Sequence, residues 1–268
     1  MTKLLVIGCG KMGEAMLAGW LERGIARDDV VIVEPYAPQA EAVRRRGVTV
    51  IGAAEEVPQA FQPDVVVLAV KPQMMDAAVP ALTRYAGTAC YLSIAAGKTL
   101  ANFARYFGDA AAVVRAMPNT PAAVGRGITV GCPNARVTPA MRETCADLLA
   151  AVGEVGWVDD EGLIDAVTGV SGSGPAYVFH MIEAMAAAGV AQGLPPDLAM
   201  RLARATVSGA GELAHRSPET AEQLRKNVTS PNGTTQAALE VLMAEDGLKP
   251  LMAKAVAAAT RRSRELAG

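Results

Sequence analysis

Three short stretches of this chain hold residue types whose spacing permits chemistry. The first is Gly8-Cys9-Gly10-Lys11-Met12-Gly13. Closely spaced glycines let a backbone bend sharply and approach a pyrophosphate at the positive end of the following helix. Such a site needs an acid for the ribose hydroxyls about 20 residues further on, and Glu34 stands there. A carboxylate at that point accepts from ribose hydroxyls and repels a 2′-phosphate, which leans toward NADH over NADPH. The same residues also read as an ordinary turn with a solvent-exposed glutamate. The second stretch is Ser230-Pro231-Asn232-Gly233-Thr234-Thr235. Proline and Asn-Gly make a turn, Thr234 and Thr235 are candidate N-caps, and the helix that follows offers free N–H groups and its dipole to a small carboxylate. A capped helix start with no ligand is the other reading. The third, Ser171-Gly172-Ser173-Gly174-Pro175, reads as the end of one helix and the start of another. Its hydroxyls and N–H groups either face a ligand or form a hinge.

Elements must hold these stretches in place. Residues 3–7 read as a buried strand and 14–23 as a helix with Met16, Leu17, Trp20 and Leu21 on one face. Residues 30–33 form a second strand, ending on Glu34. The alternation continues with a helix at 38–46, a strand at 49–51 and a fully apolar strand at 65–70 that runs into Lys71-Pro72. A helix follows at 74–85 and a strand at 89–94, after which Ala95-Ala96-Gly97 permit close approach of a nicotinamide. Further strands are expected at 127–132 and 155–158, with a helix at 139–152 between them. Beyond residue 160 the pattern is helical throughout: 163–171, 176–191, 196–215, 220–227, 235–245 and 249–266. Small residues on these helices, such as Ala184, Ala187, Gly189 and Ala203, suit burial against a second subunit.

Composition excludes several functions. Apolar residues are 51% of 268 and aromatics only 4%, which suits close-packed helices over a buried sheet and argues against disorder. A net charge of −2 gives no strong field for nucleic acid or anionic lipid. The one basic run, Arg44-Arg45-Arg46, reads as a solvated helix end. Apolar runs are strand-sized, so neither a signal sequence nor a membrane span is expected. Cys9, Cys90, Cys132 and Cys145 are scattered and there are only two histidines, which argues against a metal site and for a reducing cytoplasm.

Five strings in fixed order resemble the pyrroline-5-carboxylate reductase family. They are Gly8-x-Gly10, Ala69-Val70-Lys71-Pro72, Met117-Pro118-Asn119-Thr120-Pro121, Ser171 to Tyr177, and the loop from Asn227 to Thr235. The resemblance spans nearly the whole chain. It implies an α/β protein: an N-terminal Rossmann-type doubly wound, mostly parallel sheet at residues 1–160, then an all-α dimerisation and substrate domain at 161–268. It further implies reduction of 1-pyrroline-5-carboxylate to L-proline, the last step of proline biosynthesis, by hydride transfer from NADPH or NADH to the imine carbon. The cofactor would lie along Ile7, Gly8, Gly10, Lys11 and Met12, with Glu34 at its ribose. Ala69, Val70, Lys71 and Pro72 would border it, as would Ala95, Ala96, Gly97 and Asn119. Ser230, Gly233, Thr234 and Thr235 would bind the substrate, with Thr235 catalytic at the ring nitrogen and Glu219 near the amine side. In this family the loop meets the cofactor of a partner subunit, so a homodimer, or a ring of dimers, is implied.

The chain departs from the family pattern in three places. Asn232 replaces the first glycine of a usual Ser-Pro-Gly-Gly, and asparagine is expected to keep the turn because it tolerates positive φ. Glu34 stands where a small polar residue is common, and Ala53-Ala54 where an asparagine is common. Two rival readings remain open from the residues. One is another NAD(P)-dependent imine or hydroxy-acid reductase, using Tyr177, His180 or Glu183. The other is a non-catalytic dinucleotide sensor, for which the loop at 229–235 would be superfluous.

Overall fold

The computed structural model describes residues 2–267. Its first half alternates: β1 (Leu4–Ile7), α1 (Lys11–Glu22), β2 (Val30–Val33), α2 (Ala37–Arg44), β3 (Thr49–Ile51), β4 (Val65–Leu68) and α3 (Met75–Ala78). There follow β5 (Cys90–Ser93), α4 (Leu100–Phe107), β6 (Ala112–Met117), β7 (Gly127–Pro133), α5 (Pro139–Ala150), β8 (Gly153–Trp157) and α6 (Leu163–Val167). The strands make one sheet in the order β3-β2-β1-β4-β5-β6-β7-β8, parallel except where β6 meets β7. The short β-branched runs suit a sheet buried on both faces. Along β1, Leu4 and Val6 join one core with Met16, Leu17 and Trp20 of α1 and Leu148 of α5. Leu5 and Ile7 point the other way, into a core with Met75, Leu82, Phe103 and Phe107. Strand order reverses between β1 and β4, which opens a crevice at their carboxyl ends.

The structure differs from the sequence expectation at two elements. The single helix expected at 74–85 is instead a short 3₁₀ turn (Pro72–Met74), α3 and a second 3₁₀ turn (Pro80–Tyr85). Pro80 lacks an N–H and cannot continue the ladder. Helix α4 was not anticipated, although its signals stand in the sequence. Thr99 and Asn102 form a reciprocal capping box, Asn102 N–H to Thr99 Oγ1 at 3.2 Å and Thr99 N–H to Asn102 Oδ1 at 2.8 Å. Phe103 and Phe107, one turn apart, fill the core beneath it.

The chain forms two compact units, one reaching to Gly172 and resuming at Ala259, the other Ser173–Ala258. The sheet unit therefore runs past the strand-to-helix change near residue 160. Glu161 explains this in part, since its Oε1 pairs with Arg115 Nη1 at 2.7 Å and accepts Leu100 N–H at 2.8 Å. The Ser263 hydroxyl donates to Asp165 Oδ1 at 2.7 Å, which ties the chain's last turns to α6. The second unit contains α7 (Gly174–Ala191), α8 (Pro196–Arg216), α9 (Ala221–Asn227) and α10 (Thr234–Leu242), and α11 (Leu248–Ala267) begins in it. It leaves large apolar side chains in solvent: Phe179 is 60% exposed and Val241 71%.

Candidate active site

The glycine loop sits at the carboxyl end of β1, beside the reversal of strand order. Gly8 takes φ +79°, and a Cβ there would meet Val70 Cγ1 at 2.7 Å and the Ala69 carbonyl oxygen at 3.1 Å. Only glycine fits that left-handed, crowded position. A Cβ on Gly10, by contrast, would meet no atom within 4 Å. Gly10 is the N-cap of α1, no side chain caps this helix, and the first helical bond runs from Glu14 N–H to Gly10 C=O at 2.8 Å. The Lys11, Met12 and Gly13 amides therefore precede the ladder and are available to an anion. Gly13 lies over the turn, where a Cβ would stand 3.3 Å from Gly8 O.

Glu34 follows β2 and is 9% exposed, so the exposed-glutamate reading fails. Its Oε2 accepts Cys9 N–H at 2.9 Å and its Oε1 accepts Tyr36 N–H at 3.0 Å. Gln39 Nε2 closes the corner on Cys9 O at 2.5 Å. Burial, together with the Glu14 and Glu34 carboxylates, pushes the Cys9 thiol up to about 12, so it stays protonated and unreactive. Beside this corner an apolar cleft is lined by Val33, Pro35, Ala53, Ala54, Val70 and Met74. Open amides at α1, an open Cβ position at Gly10, a buried acid and an adjoining apolar cleft fit a dinucleotide's pyrophosphate, ribose and adenine.

The remaining predicted cofactor residues follow other strand ends of the same unit. Ile7 closes β1. Ala69 N–H bonds Ile7 O at 2.9 Å beyond β4, and Lys71 is exposed before Pro72. Ala95 is buried and Ala96 exposed after β5. A Cβ on Gly97 would lie 3.0 Å from Leu266 O. Asn119 follows β6, and its Oδ1 accepts Ile128 N–H at 2.9 Å, so its side chain braces the loop onto β7. The stretch at Ser171 departs from expectation. Residues Thr168–Gly172 form a π-helical turn that continues α6. The hydroxyls of Thr168 and Ser171 donate to Ile164 O and Val167 O at 2.8 and 3.0 Å, so they are not left unpaired.

In the second unit, Asn232 takes φ 59°, the one positive value at a non-glycine among the described residues. Asparagine keeps the turn, as expected. The N-cap of α10 is Gly233, not Thr234 or Thr235, and no side chain caps the helix. The extended backbone of Gly233 (φ −87°, ψ 174°) already meets the N-cap's needs, so both threonines enter the first turn. The first helical bond is Ala237 N–H to Gly233 O at 3.2 Å, which leaves the Thr234 and Thr235 amides ahead of the ladder. Gln236 Oε1 accepts Asn232 N–H at 2.8 Å and pins the turn. Ser230 is exposed, and its C=O accepts Gly233 N–H at 3.0 Å. Glu219 Oε2 accepts Asn227 Nδ2 at 3.0 Å, across α9 from the loop. His180, offered by the rival reading, is solvent-exposed and paired with Glu183 at 3.1 Å.

A family model described as pyrroline-5-carboxylate reductase dimerisation matches residues 161–266, and one described as NADP oxidoreductase, coenzyme F420-dependent, matches residues 3–97. The pyrroline-5-carboxylate reductase of Pseudomonas aeruginosa is 41% identical over 268 residues, covering 99% of this chain and 97% of the relative. The chain belongs to the pyrroline-5-carboxylate reductase family. Its activity is NAD(P)H-dependent reduction of pyrroline-5-carboxylate in proline biosynthesis. The Escherichia coli reductase is 36% identical across 98% of both chains. A reductase structure from Coxiella burnetii superposes with TM-score 0.93 at 32% identity, covering 100% of this chain and 99% of the other. One from Plasmodium falciparum, with NADP bound, gives 0.82 at 28% identity, covering 100% and 98%. An imine reductase from Myxococcus stipitatus, 14% identical with TM-score 0.53, shares the fold alone. The helical half that leaves large apolar side chains exposed is the part matched by the family model described by dimerisation.

Proposed function

We propose a division of labour in which residues 1–160 bind the dinucleotide and 161–268 bind substrate and build a homodimer, the unit for any ring of dimers. A bound NADH or NADPH supplies a hydride to the imine carbon. The α1 amides of Lys11 and Met12 hold its pyrophosphate where Gly8 and Gly10 let the backbone come close. Glu34 takes the ribose. Ala69 to Pro72, Ala95 to Gly97 and the Asn119 loop, all at strand ends, border the rest. All four cysteines are free thiols, even Cys90 and Cys145, whose sulfurs lie 3.8 Å apart, and this supports a reducing cytoplasm as the place of action.

For the substrate, the carrying observation is the uncapped start of α10 on the Asn232 turn. The Thr234 and Thr235 amides, with Gly233 and Ser230 shaping the turn, hold the carboxylate without an arginine. The Thr235 hydroxyl stands at the ring nitrogen and hydrogen-bonds or relays its proton, which keeps the carbon electrophilic. Glu219 acts through Asn227, which it orients at the loop's entry. Thr235→Ala tests the assignment. It should lower kcat by about 100-fold while cofactor binding, measured by fluorescence titration, stays at the wild-type level. Unchanged turnover would remove Thr235 from the mechanism.

A further inference from the structure

Glu34 differs from a surface acid in that its carboxylate cannot swing away. Each oxygen is pinned by a backbone amide from a different segment, Cys9 of the glycine loop and Tyr36 at the start of α2. Each oxygen keeps a lone pair beyond that bond, enough to accept from a ribose hydroxyl. The apolar cleft that fits adenine begins at the flanking residues, Val33 and Pro35, so the adenosine ribose would lie beside this carboxylate. A 2′-phosphate on that ribose would bring negative charge against a fixed, buried one.

Two of the three consecutive arginines at the end of α2 are engaged away from this corner. Arg44 and Arg45 both reach Glu41, at 4.0 and 3.7 Å, and Arg44 Nη2 also lies 3.5 Å from Val50 O. Arg46 acts on the loop's Cys9 thiol from a distance, but the Glu14 and Glu34 carboxylates outweigh it there. From this corner we infer that Glu34 sets cofactor choice and makes the enzyme prefer NADH to NADPH. The inference rests on the dinucleotide reading of the glycine loop. Glu34 also organises that loop, because its acceptance of the Cys9 amide fixes the turn that approaches the pyrophosphate.

The test measures kcat/KM for NADH and for NADPH with pyrroline-5-carboxylate on the full-length enzyme, and separately the binding of NAD⁺ and NADP⁺ by calorimetry without substrate. Wild type should favour the cofactor without a 2′-phosphate by about 10-fold or more, chiefly through KM. Glu34→Gln should shrink that ratio by about 10-fold by improving NADPH use, and 2′-deoxy-NADH should bind wild type more weakly than NADH. Should the variant fold poorly, the wild-type ratio and the deoxy analogue still decide. NADPH used as well as NADH by wild type would overturn the inference, as would Glu34→Gln changing both cofactors alike. Calorimetry keeps the two questions apart. NAD⁺ preference without turnover upholds Glu34 and sinks the reductase roles, whereas turnover without preference does the reverse.

Discussion

Gly8 and Gly10 stand two residues apart in one loop and are glycines for different reasons. Gly8 has positive φ and no room for a Cβ, so the fold itself requires it. Gly10 has empty space where a Cβ would go, space that the proposed dinucleotide site assigns to the pyrophosphate. Gly10→Ala should therefore fold with wild-type thermal stability while losing affinity for the cofactor, by about 10-fold or more for a methyl facing the pyrophosphate. Calorimetric titration beside a melting curve checks both halves. If affinity is kept, the approach of backbone to phosphate is not what Gly10 provides. The glycine spacing was legible in the sequence, but this difference was not, since it depends on Val70 and Ala69 arriving from β4. Glu34 was legible as an acid at the right distance. That both its oxygens are held by amides was not, because Cys9 and Tyr36 come together only when the loop and α2 fold against each other. For Thr234 and Thr235 the helix start was foreseen and the cap misassigned, as the extended backbone of Gly233 takes that position.

Elements were legible where apolar runs were short and bounded. The strands at 30–33 and 49–51 fall where β-branched runs predict them. The stretch at 74–85 reads as helical by composition, but Pro80 has no N–H to carry the ladder on, and the segment divides there into α3 and a 3₁₀ turn. Helix α4 shows the opposite error, for a capping box and an aromatic pair marked it plainly. The packing of α1 on α5 was hidden, being a contact between helices far apart in sequence. Trp20 Nε1 donates to Leu148 O at 2.8 Å, and a Cβ on Gly19 would sit 2.4 Å from Ala151 O. Backbone cannot yield there as a flexible side chain would. Gly19→Ala should destabilise by about 1–3 kcal/mol, seen as a thermal midpoint lowered by several degrees, with cofactor affinity unchanged in the surviving fold. An unshifted midpoint would show that α1 and α5 slide apart freely.

At the scale of the whole molecule, the two units are built differently. The sheet unit buries apolar side chains on both faces and places the first-turn amides of α1 beyond the end of β1. The helical unit keeps few residues fully buried, Ala186, Ala199 and Ala203 among them, and leaves Phe179, Val241 and Leu251 in solvent. These side chains lie exposed in the segment whose family model is described by dimerisation. Sequence periodicity anticipated the helices and their small residues, but which apolar faces stay open is a property of the packed unit. Among the described residues no helix is long and apolar enough to cross a membrane, and no His, Cys, Asp and Glu cluster could hold a metal. The most direct measurement is oxidation of NADH and NADPH, each with and without pyrroline-5-carboxylate, with the product identified. Substrate-dependent oxidation that yields L-proline in equal amount is the expected result. Folded, cofactor-bound enzyme that oxidises neither cofactor when substrate is added would contradict it.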